Sequence, residues 1–204
     1  MKRIAVFASG SGTDFQSVID ANEKEKFCEI VYLIASKDGV GAIDRAKNHG
    51  IPTAVFAKND YPDLETLYGK LTYLLNINRV DYIVLAGWLK IIPDSFIEAF
   101  KDRIINIHPS LIPAFCGSGF YGLKVHQAVL DYGAKVSGCT VHFVNEVPDG
   151  GAIIAQTAVN VEDSDTAESL QARILEEEHK LLPYCVKKLC QSKIHKNGRK
   201  VTVT

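Results

Sequence analysis

The sequence is poor in every feature that would commit it to a special environment. Lysine and arginine number 23 against 24 aspartates and glutamates, for a formal net charge of -1. No bulk field therefore draws the chain to nucleic acid or to anionic lipid. No apolar run approaches the roughly 20 residues of a membrane span. The first residues, Met1-Lys2-Arg3-Ile4-Ala5-Val6-Phe7, enter a strand pattern at once, and their apolar stretch is too short and too poorly flanked for a secretory signal. Five cysteines, Cys28, Cys116, Cys139, Cys185 and Cys190, are odd in number and scattered. None falls in Cys-x-x-Cys spacing and no His-x-x-x-His occurs, so the pattern suggests neither a disulfide framework nor a metal centre. Repeats, linkers and low-complexity tracts are missing. These absences read as a reduced, cytoplasmic protein without nucleic-acid or membrane partners, either monomer or homodimer.

What remains is ordinary globular composition, 47% apolar and 23% charged over 204 residues, long enough to bury a full core. Strand and helix patterns alternate. Strands are expected at 2–8, 30–35, 52–56, 82–85 and 104–107, with helices at 14 onward, 41–48, 61–78 and 94–100. That order of short apolar strands and helices predicts an α/β fold, a doubly wound, mostly parallel sheet with helices on both faces. After a helix over 125–132 the pattern changes to two strands, 136–144 and 152–159, joined by an acidic turn and read as an antiparallel hairpin. An amphipathic helix over 166–189 follows. Residues 1–190 read as one domain. Residues 191–204 read as a tail, with Asn197-Gly198 signalling a type I′ hairpin.

Ligands of open α/β sheets bind at the carboxyl ends of the strands, and three stretches stand there. After the first strand comes Ser9-Gly10-Ser11-Gly12-Thr13-Asp14-Phe15-Gln16. It lacks the Gly-Lys-Ser/Thr of a nucleotide P-loop, and Phe15 replaces the third glycine of a dinucleotide fingerprint. A small-residue turn opening a helix still favours an anion such as a phosphate monoester. Thr13-x-x-Gln16 equally matches a capping box, and Asp14 would repel a phosphate. After the fourth strand comes Ala86-Gly87-Trp88-Leu89-Lys90-Ile91-Ile92. Its apolar residues either line a slot for a flat ring or pack beneath the next helix.

The densest signal is Ile104-Ile105-Asn106-Ile107-His108-Pro109-Ser110-Leu111-Ile112-Pro113. Asn106 and His108 lie two apart at a strand end and leave one face, and Pro109 stops the ladder. An amide and an imidazole held side by side suit the stabilisation of developing charge. Downstream, Asn145-Glu146-Val147-Pro148-Asp149-Gly150-Gly151 carries Asp149, whose other explanation is turn chemistry. Cys116, in the glycine-rich stretch Ala114–Gly122, invites a Cys/His nucleophile reading but shows no oxyanion turn or helix start beside it. The run Glu176-Glu177-Glu178 is either a solvated face or the source of one inward carboxylate.

In this order, Ala8-Ser9-Gly10-Ser11-Gly12, Leu85-Ala86-Gly87, Asn106-Ile107-His108-Pro109-Ser110-Leu111-Ile112-Pro113 and Val141-His142-Phe143-Val144 leading to Asp149 resemble the folate-dependent phosphoribosylglycinamide formyltransferase family over nearly the whole chain. The resemblance implies transfer of a formyl group from 10-formyltetrahydrofolate, as co-substrate and without a metal, to the amine of glycinamide ribonucleotide in purine synthesis. It implies that Asn106 and protonated His108 stabilise a tetrahedral oxyanion, that Asp149 pairs with His108, and that Thr140 stands near the site. Gly12, Thr13 and Asp14 match the family's phosphate turn, Glu178 its ribose contact, and Leu89, Lys90, Ile91 and Ile92 the backbone that holds the folate ring. Two departures stand out: Asp14 replaces the usual Asn, and residues 57–72 hold no Arg, only Lys58 and Lys70. One rival is a non-catalytic nucleotide-binding module using only the first turn, against which Asn106, His108 and Asp149 together speak; two others share the chemistry. A formyltetrahydrofolate hydrolase is expected to carry an added N-terminal regulatory domain, and a methionyl-tRNA formyltransferase an RNA-binding domain with a basic surface.

Overall fold

A computed structural model describes residues 1–204. Seven strands form one mostly parallel sheet in the order β3-β2-β1-β4-β5-β6-β7, and β8 and β9 form a separate two-stranded sheet. The chain divides into two compact units, Met1–Ile105 and Asn106–Thr204. No helix is long and apolar enough to cross a membrane.

The first unit runs β1 (Lys2–Ala8), α1 (Thr13–Glu25), β2 (Cys28–Ala35), α2 (Gly41–Asn48), β3 (Thr53–Val55), α3 (Leu64–Ile77), β4 (Tyr82–Leu85) and α4 (Asp94–Ala99). β1 pairs in parallel with β2, Lys2 opposite Cys28 through Ala8 opposite Ala35, and with β4, Ile4 opposite Tyr82 through Phe7 opposite Leu85. Ile4 to Ala8 are fully buried, as a near-continuous apolar run requires when both faces of a parallel strand are covered. Behind the sheet, Phe96 meets Tyr68 at 5.0 Å and Phe100 at 4.8 Å between ring centroids, and Phe7 meets Trp88 edge-on at 5.1 Å. The expected helix from Tyr61 begins later. Lys58–Asp60 is a single 3-10 turn, and Asp63 caps α3 by accepting the Thr66 N–H at 2.6 Å. An acceptor side chain just ahead of the first turn decides where the helix starts.

The second unit takes the end of β5 (Ile104–His108), then α5 (Leu123–Tyr132), β6 (Val136–Phe143), β7 (Ile153–Asn160), α6 (Ala167–Cys190), β8 (Ile194–Asn197) and β9 (Lys200–Val203). β6 and β7 are antiparallel, with a register shift between Val141 and His142. α6 opens on a capping box of Thr166 and Ser169. The terminal hairpin is present, but its turn differs in sign from the expected type I′. Asn197 pairs with Lys200, so Gly198 and Arg199 form the loop, and only Gly198 has a positive φ, at 59°. A type I′ turn needs two positive φ values and a type II′ turn one, at its first central residue, here Gly198.

His126, on α5, is buried, and burial first and the charge of His108 second push its imidazole down from 6.5 to about 4. The folded chain therefore keeps His126 neutral while the unfolded chain protonates it. The resulting stability is complete above pH 6.5 and is lost as pH falls towards 4, up to ~3 kcal/mol. In denaturant titrations at pH 7 and pH 4.5, His126→Leu should gain on the wild type as pH falls. A difference independent of pH would contradict this.

Candidate active site

β5 delivers its two polar side chains as the alternation demands. Asn106 is half-buried, and His108 is buried at the strand's carboxyl end. The Asp149 carboxylate stands between two imidazoles, Oδ2 3.6 Å from His108 Nδ1 and Oδ1 3.5 Å from His142 Nε2. The Gly117 N–H donates to Oδ2 at 2.8 Å. Asn106 joins through His142, with its Nδ2 3.2 Å from Nε2. The expected Asn/His/Asp set is thus assembled, with His142 as a fourth member.

The partners determine the ring protons. His142 Nδ1 lies 2.8 Å from the Phe143 carbonyl, which can only accept, so Nδ1 carries hydrogen. His142 Nε2 faces both the Asn106 amide, at 3.2 Å, and the Asp149 carboxylate, at 3.5 Å, and at most one Asn106 N–H is spent there, so the other is left for a ligand. His108 Nε2 lies 3.0 Å from the Phe115 carbonyl and likewise donates. Its Nδ1 faces a carboxylate, so both ring nitrogens look onto acceptors, and the surroundings are shaped for an imidazolium.

Burial opposes that charge. It pulls His108 below its ordinary value, while Asp149 and the Phe115 carbonyl raise it and His142 lowers it further. The expected sign of Asp149's effect is present, but desolvation outweighs it. At neutral pH His108 rests uncharged, with a prepared place for a proton at Nδ1. Burial also raises the Asp149 carboxyl, but His142, His108 and the Gly117 N–H together hold it below the usual carboxylate range. It therefore stays ionised at neutral pH. Burial first and Asp149 second push the Cys116 thiol up, and its Sγ lies 3.4 Å from the Pro113 carbonyl. That is the opposite of an activated nucleophile.

Thr140 is fully buried, and its hydroxyl is committed. It donates to the Ser110 carbonyl at 2.6 Å and accepts from the Ile112 N–H at 3.2 Å and Gln156 Nε2 at 2.9 Å. Its contribution is to brace the loop that leaves β5, not to present a polar group to a bound molecule. Glu178 is the inward member of its acidic run, buried on α6 while Glu176 is exposed.

In the first unit, Gly12 caps α1 with φ 74°, and no side chain caps the helix. The Thr13/Gln16 capping box is not formed, because Gln16 instead hydrogen-bonds Asp20 and Arg45. A Cβ on Gly12 would lie 2.7 Å from that of Ala42, so glycine is required by space as well as by conformation. The uncapped start keeps backbone N–H groups for an anion. One carboxylate oxygen of Asp14 is withdrawn from solvent, and burial raises the carboxyl to about 6.

Trp88 packs inward, as the simpler reading of its segment had it, and donates to the Tyr68 hydroxyl at 3.1 Å. Its neighbours turn out, Leu89 60% and Ile91 78% exposed. The Leu89 N–H is tied to Ser9 Oγ at 3.1 Å. Beside them opens an apolar cavity of about 230 Å³ lined by Phe56, Leu64, Tyr68, Trp88, Leu89 and Ile91, with Lys58 and Lys90 among the walls; Ile92 is not part of it.

A buried imidazole facing two acceptors, an ionised partner and an amide N–H are groups that an acyl-group transfer can use. The formyl transferase family model matches residues 2–186, and the chain belongs to that family. Chloroplastic phosphoribosylglycinamide formyltransferase of Arabidopsis thaliana is 44% identical over 195 residues, covering 95% of this chain and 67% of that protein. The Bacillus subtilis phosphoribosylglycinamide formyltransferase is 36% identical over 190 residues, covering 93% of this chain and 95% of its own length. The crystal structure of glycinamide ribonucleotide transformylase 1 from Symbiobacterium toebii superposes with a TM-score of 0.93 at 35% identity, covering 100% of this chain and 94% of that one. The chain spans about two thirds of the length of the plant relatives. Within the family it groups with the phosphoribosylglycinamide formyltransferases.

His142 escaped the sequence reading as a site residue. It shares strand parity with Thr140, which offered a faint signal, but the bulge opposite it, a device that re-aims side chains, is invisible in sequence.

Asp149→Asn should lower the His108 titration further, since it removes a neighbour that raises it. An imidazole titration by NMR in both proteins checks this, and an unmoved His108 would refute the pairing.

Proposed function

We infer that the protein transfers the formyl group of 10-formyltetrahydrofolate to the amine of glycinamide ribonucleotide. The observation that carries this reading is the Asp149 carboxylate set between His108 and His142, with Asn106 attached. The substrate amine attacks the formyl carbon, a C–N bond forms, and the carbonyl oxygen takes the charge. Asn106 offers its unspent N–H to that oxygen. His108 takes up the proton for which its Nδ1 is prepared, and Asp149 stabilises the resulting cation. The bond to the folate nitrogen then breaks, and the proton lost by the amine ends on that nitrogen.

The remaining assignments follow the same reading. Gly12 and Thr13 bind the substrate phosphate through backbone N–H groups at the start of α1, and Glu178 takes ribose hydroxyls. The segment from Leu89 to Ile92 holds the folate ring beside the apolar cavity. Residues 1–190 act as one catalytic domain with 191–204 as its tail, working in the cytoplasm. The assay that tests the reading is absorbance on formyl transfer with and without glycinamide ribonucleotide. Acceptor-dependent turnover is expected, and turnover without acceptor would instead identify a hydrolase.

Asn106 and His108 serve one transition state, so their losses should not add. Asn106→Ala should cost about 10²-fold in kcat and His108→Ala at least as much, with the double variant little worse than His108→Ala. Fully multiplicative losses in steady-state kinetics would contradict a shared role.

Asp14 sets a pH dependence on the nucleotide. Below pH 6 its carboxyl is neutral, and above it a carboxylate stands beside the phosphate turn. Asp14→Asn should therefore tighten glycinamide ribonucleotide about 5-fold at pH 8 and much less at pH 5, leaving folate affinity unchanged. Calorimetry at the two pH values checks this. Equal or weaker binding in the variant at pH 8 would refute the repulsion.

A further inference from the structure

Residues 144–151, which present Asp149, are exposed at Glu146, Val147 and Pro148 and half-buried or buried at the other positions. Asp149 has a left-handed φ of 53°, a conformation costly for a residue with a side chain. The turn closes internally by a Gly150 N–H to Val147 carbonyl bond of 2.8 Å. Its glycines leave no slack. A Cβ on Gly150 would lie 2.6 Å from Val147 Cβ, and one on Gly151 would collide with the Phe143 carbonyl oxygen. The Gly117 N–H holds the carboxylate at 2.8 Å, but the two imidazoles stand 3.5 and 3.6 Å away, beyond good hydrogen-bond length. Small displacements of this turn therefore alter the field on His108.

From outside the turn, Arg199 donates from Nη1 to the Gly150 carbonyl at 2.9 Å. Arg199 is the second loop residue of the terminal hairpin, where the positive φ of Gly198 turns the chain. The hairpin is itself anchored in this unit. β9 packs on β7, Lys196 Nζ stands 5.8 Å over the Phe143 ring, and Lys188 Nζ donates to the Thr204 carbonyl at 2.7 Å. Phe143 is also the residue whose carbonyl fixes the His142 ring. We propose that the C-terminal hairpin is a positioning element for catalysis. Arg199 holds the peptide that follows Asp149, and so keeps the carboxylate against His108. Arg199 is a positioning residue, because it acts through Asp149. The inference rests on the catalytic reading of Asp149 given above.

The full-length chain serves for the test, as Arg199→Ala, Arg199→Lys and Asp149→Asn beside the wild type. Arg199→Ala should lower kcat about 5-fold while KM for both substrates stays within about twofold. It should also move the His108 NMR titration down by about half a unit, in the direction of Asp149→Asn. Arg199→Lys, which keeps a cationic donor, should recover most of both effects, and melting temperatures should stay close to wild type. The proposal is overturned if Arg199→Ala keeps wild-type kcat and an unmoved His108, or if it loses activity only together with melting temperature while His108 stays put. Wild-type turnover in Asp149→Asn would remove the catalytic reading itself. An inactive Asp149→Asn beside a fully active Arg199→Ala would remove only the role of the hairpin.

Discussion

The site depends on one carboxylate shared by two buried imidazoles. Asp149 is half-buried, ionised, and faced by His108, His142 and the Gly117 N–H. Desolvation works against every charge in this group, and only mutual attraction restores them. The balance differs between the partners. Burial leaves His108 below its ordinary value, whereas the three partners of Asp149 carry it below its own. An ionised acid beside a resting neutral imidazole is the combination a proton acceptor needs at neutral pH.

Several unusual features of the second unit serve this arrangement. The Phe115 carbonyl, on a residue with φ 50°, fixes one edge of the His108 ring. Thr140 braces Ser110 and Ile112, in the chain that leaves β5 and carries the Phe115 carbonyl back to His108. The register shift at His142 turns an ordinary strand residue into a link between Asn106 and Asp149. None of these groups is reactive alone. Their common effect is orientation, which converts polar side chains into preorganised ones.

Much of this was legible in the residues, for identifiable reasons. The strand runs are short, apolar and β-branched, so β1, β4 and α2 appear where the periodicity placed them. Asn106 and His108 share a face because strand alternation leaves no other choice. Turn chemistry was less legible. The Thr13/Gln16 box gives way to a Gly12 cap, with Gln16 drawn to Asp20 and to Arg45, a partner 29 residues away in sequence. Asp63 starts α3 where periodicity alone suggested Tyr61. The turn sign at Gly198-Arg199 depends on which residues pair across β8 and β9, a matter of register. His142 was missed for the same reason, since its aim is set by a bulge on the neighbouring strand. What sequence hides in this chain is whatever depends on a distant backbone.

The central claim is that acceptors on both sides of His108 set its protons and prepare Nδ1 for one more. Nitrogen-15 NMR of the histidine side chains across pH tests it most directly. The account predicts that His108 carries hydrogen on Nε2 throughout, gaining a second at Nδ1 only on acidification, while neutral His142 carries hydrogen on Nδ1. A neutral His108 protonated at Nδ1 with bare Nε2 would contradict it, because the Phe115 carbonyl would then have no donor and the ring no fixed orientation towards Asp149.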